Sequence, residues 1–196
     1  MPKVSVVLPA HNEEKIIARS VKSVLSQTYK DFELIVVDNS STDKTVEVLE
    51  SLKDSRIKIF NCDTKGIVPA LNKGLQKASG DIIARQDADD FWYPKKLQLQ
   101  VSLLEEKKEI SICGTQIRIL DSNLKLKNND FRYPIKDNAI KSWLLTGKNS
   151  IAHPSVVFRR EILLRTGGYD DSYPIAEDHH LWLRCIKWFN FENLSE

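Results

Sequence analysis

No apolar run among the 196 residues approaches the ~20 needed to cross a bilayer, and the N-terminus has no charged-then-apolar leader pattern. Cysteine is scarce. Cys62, Cys113 and Cys185 are far apart and sit among apolar neighbours, so they read as buried free thiols of a reducing compartment, not as a disulfide frame or a metal site. A net charge of +2, with scattered lysines and no basic stripe interleaved with aromatics, gives no electrostatic case for nucleic acid. Phosphate-cradling glycine loops are missing as well. Neither G-x-G-x-x-G nor G-x-x-x-x-G-K-[ST] follows the first apolar run, which argues against a dinucleotide cofactor or a P-loop nucleotide. Without a repeat, linker or low-complexity stretch, residues 1–196 read as one cytoplasmic domain.

What is present alternates. Val4 to Leu8 is a near-continuous apolar run ended by Pro9, the pattern of a strand buried on both faces. Asn12 is placed to cap a helix whose apolar face is Ile16, Ile17, Val21, Val24 and Leu25. Leu34–Val37 is a second buried strand, and a helix carrying Val46, Leu49 and Leu52 follows. Ile57–Phe60 is a third strand, Pro69 opens a helix that Gly80 terminates, and Asp81–Gln86 is a fourth. Four strand–helix alternations at short spacing predict an α/β fold: a mixed, mostly parallel, Rossmann-like sheet with helices on both faces. The second half is less regular. It predicts a helix from Pro94, a long strand Ile110–Leu120, a hairpin turn at 121–123, loop over 127–138 and a short helix near 139–145. A strand at Ser155–Arg159, a helical turn at Glu161–Arg165 and an amphipathic helix Asp178–Phe189, packed by Leu181, Trp182, Trp188 and Phe189, complete it. The stop seven residues after Phe189 leaves room for a C-terminal extension.

Ligands of open parallel sheets bind outside the carboxyl ends of the strands. Those ends carry Pro9-Ala10-His11-Asn12-Glu13, Asp38-Asn39 and Asp87-Ala88-Asp89-Asp90. Three carboxylates within four residues repel one another, and a hard divalent cation bridging them to a substrate phosphate relieves that repulsion. A solvated acidic turn is the plainer alternative. Asp38 can accept a hydrogen bond from a base or ribose, or merely cap its loop; Lys65 and Arg85 are candidate phosphate helpers or ordinary surface cations. Glu177-Asp178 at a helix start either supplies an ionised base or only complements the helix dipole. His11 and His153 near strand ends either touch a ligand or are structural. The adjacent His179 and His180 diverge around a helix and make a poor chelating pair, so no histidine is given a metal role.

The ordered run Val-Ser-Val-Val-Leu-Pro-Ala-His-Asn-Glu-Glu at 4–14, Val-Val-Asp-Asn-Ser-Ser-Thr-Asp at 36–43 and Arg-Gln-Asp-Ala-Asp-Asp at 85–90 resembles the family 2 glycosyltransferases. Ala70-Leu71-Asn72-Lys73-Gly74, His153-Pro154-Ser155, Gly167-Gly168-Tyr169 and Ala176-Glu177-Asp178 extend the resemblance over residues 3–189. It implies a GT-A fold, inversion at the anomeric carbon, and a nucleotide-diphospho-sugar donor, a UDP-sugar first among candidates, carrying a hexose or N-acetylhexosamine. The acceptor would be a saccharide or lipid-linked saccharide of glycan or polysaccharide synthesis, which allows peripheral association with the inner face of a membrane. Position by position, Pro9, Ala10, Glu13, Asp38, Lys65, Asn72, Asp87 and Ala88 would line the nucleotide-sugar pocket. Asp87 and Asp89, the ends of a DxD motif, would hold Mn²⁺ or Mg²⁺, with Asp90 capping the turn. Asp178 would be the catalytic base. Two positions depart from the family pattern: Asn39 stands where many relatives have aspartate, and His179-His180 replaces a tyrosine and an acidic residue. A sugar-nucleotide-binding module without activity, a phospho-acceptor receiver domain and a sugar nucleotidyltransferase stay open as alternatives.

Overall fold

Burial on both faces is what made the first two strands legible: every residue of β1 (Val4–Ala10) and β2 (Phe32–Asp38) is buried. The computed structural model describes residues 3–121, 123–127 and 132–196. Around those strands the chain forms α1 (Ile17–Leu25), α2 (Thr45–Ser51), β3 (Ile57–Asn61), α3 (Ile67–Lys77), β4 (Ile82–Arg85) and α4 (Lys96–Glu106). It continues as β5 (Ile110–Gly114), α5 (Asp137–Leu145), β6 (Val157–Arg159), α6 (Glu161–Thr166), α7 (Glu177–Cys185) and β7 (Asn190–Asn193).

The sheet runs β3-β2-β1-β4-β6-β5-β7. β1 pairs in parallel with β2 and β4, and β2 with β3. β6 is antiparallel to both its neighbours, and β7 is parallel to β5. The expected mixed, mostly parallel sheet is therefore observed. Alternate residues of each strand feed opposite faces. Val4, Val6, Leu8, Leu34 and Val36 pack with Ile17, Val21 and Val24 of α1, Leu49 of α2, and Leu97 and Val101 of α4. Val7, Ile35 and Val37 pack on the other face with Leu71 and Leu75 of α3, Ile140 of α5, and Leu181 and Trp182 of α7. One polar knot is buried in the sheet. Glu33 takes hydrogen bonds from Ser5 Oγ (2.6 Å), Ser79 N (2.8 Å), Ser79 Oγ (2.7 Å) and Lys58 Nζ (2.6 Å).

Several expectations are corrected. Pro9 does not end β1, which runs on to Ala10. Val7 O accepts Gln86 N on the β4 side, so Pro9, two residues on, faces that side too, past the last β4 residue, where no ladder donor is required. Asn12 does not cap α1; it lies in the left-handed region (φ 57°) and Ile16 precedes the helix. The strand expected over Ile110–Leu120 stops at Gly114, because both neighbours end there. Leu120 and Leu126 do form an antiparallel bridge around the expected turn, of which Ser122 lies outside the described residues. Of the loop expected at 127–138, residues 128–131 lie outside them too, and Asp137 already opens α5. The last helix ends at Cys185, not Phe189; the chain turns into β7 at the sheet edge, and Trp188 is exposed instead of packing the core.

Candidate active site

The chain leaves β1 for β2 and β3 on one side, then crosses back to β4 on the other. The crevice at the carboxyl ends of β1 and β4 is thus the switch point where such sheets bind ligands. A cleft of about 350 Å³ lies there, walled by Pro9, Ala10, His11 and Glu13 after β1, Asn39 after β2, Lys65 to Ile67 and Ala70 at α3, and Asp87 to Asp89 after β4.

Cross-loop hydrogen bonds fix each wall. Asn12 Oδ1 accepts Thr42 N (2.7 Å), Ser41 Oγ accepts Asn12 N (2.9 Å), and Thr45 Oγ1 accepts Glu13 N (2.7 Å). His11 Nδ1 donates to Asn39 O at 2.8 Å, since a carbonyl can only accept. Asn39 holds the next loop: its Nδ2 donates to Cys62 O (3.1 Å) and Thr64 O (2.7 Å), and its Oδ1 accepts Gly66 N (2.8 Å). An aspartate could not make the two donations. Gly66, at φ 121°, then turns the chain into α3. Asp38 is buried beside this wall. Its Oδ2 accepts Ser41 N (3.2 Å), while Oδ1 is buried with no hydrogen-bond partner among the described residues.

The acidic turn is held from α1. Ser20 Oγ donates to Asp87 O (2.8 Å), Arg19 Nη2 to Asp89 O (3.2 Å), and Gln86 Nε2 to Asp90 O (2.8 Å). These three anchors tie the backbone so that carboxylate oxygens of Asp87, Asp89 and Asp90 lie within 4.8 Å of one another. The crowding is visible in their chemistry. Asp90 keeps an exposed surface, yet partial desolvation of its carboxyl and the like charges of Asp87 and Asp89 raise its pKa to about 6. Glu13 across the cleft is raised by burial, then by Asp89 and Asp43. Hard, closely spaced oxygen donors under mutual repulsion suit Mg²⁺ or Mn²⁺, and the residues present therefore fit the expected ion. Buried Arg85 forms an ion pair with Asp87 and supplies part of the compensating charge.

Of the residues singled out from the sequence, Pro9, Ala10, Glu13, Lys65, Asp87, Ala88 and Asp89 share the cleft, and Asp38 lies behind the Asn39 wall. Asn72 is outside the cleft lining, with its amide engaged by the backbone of Tyr169. Asp178 also lies outside that lining, in the first turn of α7, where its Oδ1 accepts His179 N (2.7 Å). Its neighbour Glu177 is within electrostatic reach of the acidic turn: its pKa is raised by burial and by Asp178, and it feels both Arg85 and Asp87. Sequence reasoning missed Arg19 and Ser20 as anchors and Ile67 as a wall, which no local pattern distinguishes from ordinary helix positions; Ala70, part of the 70–74 motif but given no pocket role there, lines the cleft.

A family described as "Glycosyl transferase family 2" matches residues 5–167. The O-antigen biosynthesis glycosyltransferase WbnJ of Escherichia coli is 33% identical over 204 residues, covering 98% of this chain and 76% of WbnJ. WfgD of the same organism, a UDP-Glc:alpha-D-GlcNAc-diphosphoundecaprenol beta-1,3-glucosyltransferase, is 32% identical over 195 residues, covering 98% of this chain and 73% of WfgD. The crystal structure of S. aureus TarS 1–349 superposes with a TM-score of 0.80 at 20% identity, over 99% of this chain and 58% of that one. The fold is that of the GT-A glycosyltransferases; the chain spans about three quarters of the two relatives and little more than half of the TarS fragment (58%).

Proposed function

Because the chain belongs to glycosyl transferase family 2, we propose that it transfers a sugar, with inversion, from a nucleoside diphosphate sugar to an acceptor hydroxyl. The observation that carries this reading is the convergence of Asp87 and Asp89 on one cleft whose other walls come from the β1, β2 and β3 ends. Uracil is the base this reading favours, with Asp38, buried beside the Asn39 wall at the end of β2, as the residue that would read it once that wall gives way. The donor is then a UDP-hexose or UDP-N-acetylhexosamine, the first in keeping with the UDP-Glc of WfgD's name. Pro9, Ala10 and Ala88 would offer flat apolar contact to the nucleoside, and Glu13, on the same wall, would face its ribose. Lys65 on the facing wall offers charge to the diphosphate. Asp87 and Asp89 would hold Mn²⁺ or Mg²⁺, which when bound supplies Lewis-acid neutralisation of the departing diphosphate.

Asp178 would take the proton of the acceptor hydroxyl as that oxygen forms its bond to C1, on the face opposite the breaking C1–diphosphate bond. The proton ends on Asp178, the electron pair of the broken bond on the diphosphate, and the anomeric configuration inverts. Other residues serve by placement: Arg85 keeps Asp87 in position, and the Asn39 clamp keeps Lys65 on the cleft wall. A lipid-linked saccharide is the acceptor this reading favours, in line with WfgD's name. Contact with such an acceptor would be peripheral, from the cytoplasmic side; no helix of the described residues is long and apolar enough to cross a membrane. The test is turnover of UDP-sugars with Mn²⁺, read as transfer or as hydrolysis with water as acceptor. Wild type should turn over one donor and Asp178→Asn should not; equal activity in both removes Asp178 as the base.

A further inference from the structure

Four family-like motifs leave a residue outside the cleft: Asn72, His153, Tyr169 and Glu177. They are joined in space. Asn72 on α3 clamps the Tyr169 backbone from both sides, its Oδ1 accepting Tyr169 N (2.9 Å) and its Nδ2 donating to Tyr169 O (2.9 Å). The preceding Gly168 lies at φ 100°, and a Cβ there would stand 2.7 Å from Asn72 Oδ1, so the clamp needs glycine at that position. Tyr169 so held puts its hydroxyl 2.8 Å from His153 Nε2. On the other side of the ring, His153 Nδ1 faces Glu177 Oε1 at 3.6 Å. Tyr169 is 5% exposed and His153 8%, so these polar contacts are nearly dry. Burial, with the nearby Arg85 charge, holds the His153 pKa well below its ordinary value, leaving one ring proton. With Tyr169 donating to Nε2, the ring proton sits on Nδ1 and faces Glu177 across 3.6 Å, an electrostatic contact longer than a hydrogen bond.

The chain reaches the base through residues 171–176, all exposed, where Tyr173 stacks on His180 of α7 with ring centroids 3.7 Å apart, and Ala176 before α7 offers no side-chain cap. Glu177 is the neighbour of Asp178 whose side chain faces the buried His153. Arg184, from the next turns of α7, closes the ring by donating to Thr166 O and Gly168 O (2.6 Å each). Resting on the reading of Asp178 as the base, we propose that Asn72, Tyr169, His153 and Glu177 form a positioning relay that aims Asp178 from helix α3.

Tyr169→Phe removes one hydroxyl and keeps the ring. It should lower kcat about tenfold, as a small misplacement of a reacting group does, while the KM for UDP-sugar holds; the buried His153 Nε2 left unpaired lowers the melting temperature without changing that KM. Glu177→Gln should do the same, and the double variant should be no slower than the slower single one, because both cut one chain. Wild-type kcat in Tyr169→Phe, an additive double variant, or a fall in kcat matched by a rise in donor KM would each overturn the relay. Should Tyr169→Phe fail to fold, an unchanged kcat in Glu177→Gln overturns it alone. Asp178→Asn separates the two claims. If it is inactive while Tyr169→Phe is normal, the relay fails and the base stands; if it is fully active, the base itself is wrong.

Discussion

Replacing Glu33 by glutamine should cost the fold about 2–3 kcal/mol at pH 7. Glu33, 3% exposed near the start of β2, takes four hydrogen bonds on its carboxylate, including that of Lys58. Burial is the largest single influence and would raise its pKa, but the donors Lys58, Ser5 and Ser79 together outweigh it and hold the pKa at about 2, against 4.5 for a free glutamate. That gap corresponds to ~3 kcal/mol, trimmed because Lys58 is half in water. Since the folded pKa is the lower one, the stabilisation is complete above about pH 4.5 and is lost as pH falls toward 2. Glutamine keeps the size but turns an NH₂ toward either Lys58 or the Ser79 amide, each of which is a donor. Urea unfolding of wild type and Glu33→Gln at pH 7 and pH 3 reads both terms. The difference should be largest at pH 7 and shrink to less than about half of that by pH 3. Equal stability at pH 7, or a difference of the same size at both pH values, refutes the reasoning.

Gly80→Ala should destabilise by about 1–3 kcal/mol in thermal unfolding, because the new Cβ would stand 2.8 Å from Lys3 O, Ser5 N and the Val4 carbonyl carbon, all backbone. Burial lowers the Lys96 pKa to about 7, so the unfolded chain binds the extra proton between about pH 7 and 10.5 and wild-type stability rises through that window. Lys96→Met should lack this rise, giving it its greatest relative stability near pH 7 and a shrinking one by pH 9.5 in urea titrations. Asn39→Asp faces a carboxylate to Cys62 O and Thr64 O and should loosen the Lys65 wall; donor KM rises about tenfold with kcat little changed, as loss of uniform binding requires.

The first half of the fold was legible because β1 and β2 are apolar along their whole length and the Asp87–Asp90 turn follows β4 directly. Legibility failed where structure is set by distant partners. In β7 the buried positions are Phe191 and Asn193, whose side chain donates to Pro134 O and Ser150 O; neither Trp188 nor Phe189 in the sequence hints at a strand beyond them. The alternation Ile117, Ile119 looked like continuing strand, but no neighbour extends past Gly114 to pair with it. The candidate site shows the same division. Cleft-wall residues such as Ala10 and Asp89 follow from being at strand ends. The resemblance implies that Asn72 lines the donor pocket, whereas its amide is engaged by Tyr169, 97 positions away; Ser20 shares the buried face of α1 with Ile17, Val21 and Val24, and only the distant Asp87 backbone shows what its hydroxyl holds.

Calorimetric titration of UDP into the protein, with Mn²⁺ and then with EDTA, tests the metal–diphosphate reading most directly, with Asp89→Ala alongside. Binding should appear with Mn²⁺, vanish with EDTA, and be missing in Asp89→Ala, whose melting temperature should equal or exceed that of wild type as repulsion on Glu13 and Asp90 is relieved. UDP affinity that is indifferent to EDTA and to the loss of Asp89 would contradict a diphosphate held through carboxylate-bound metal.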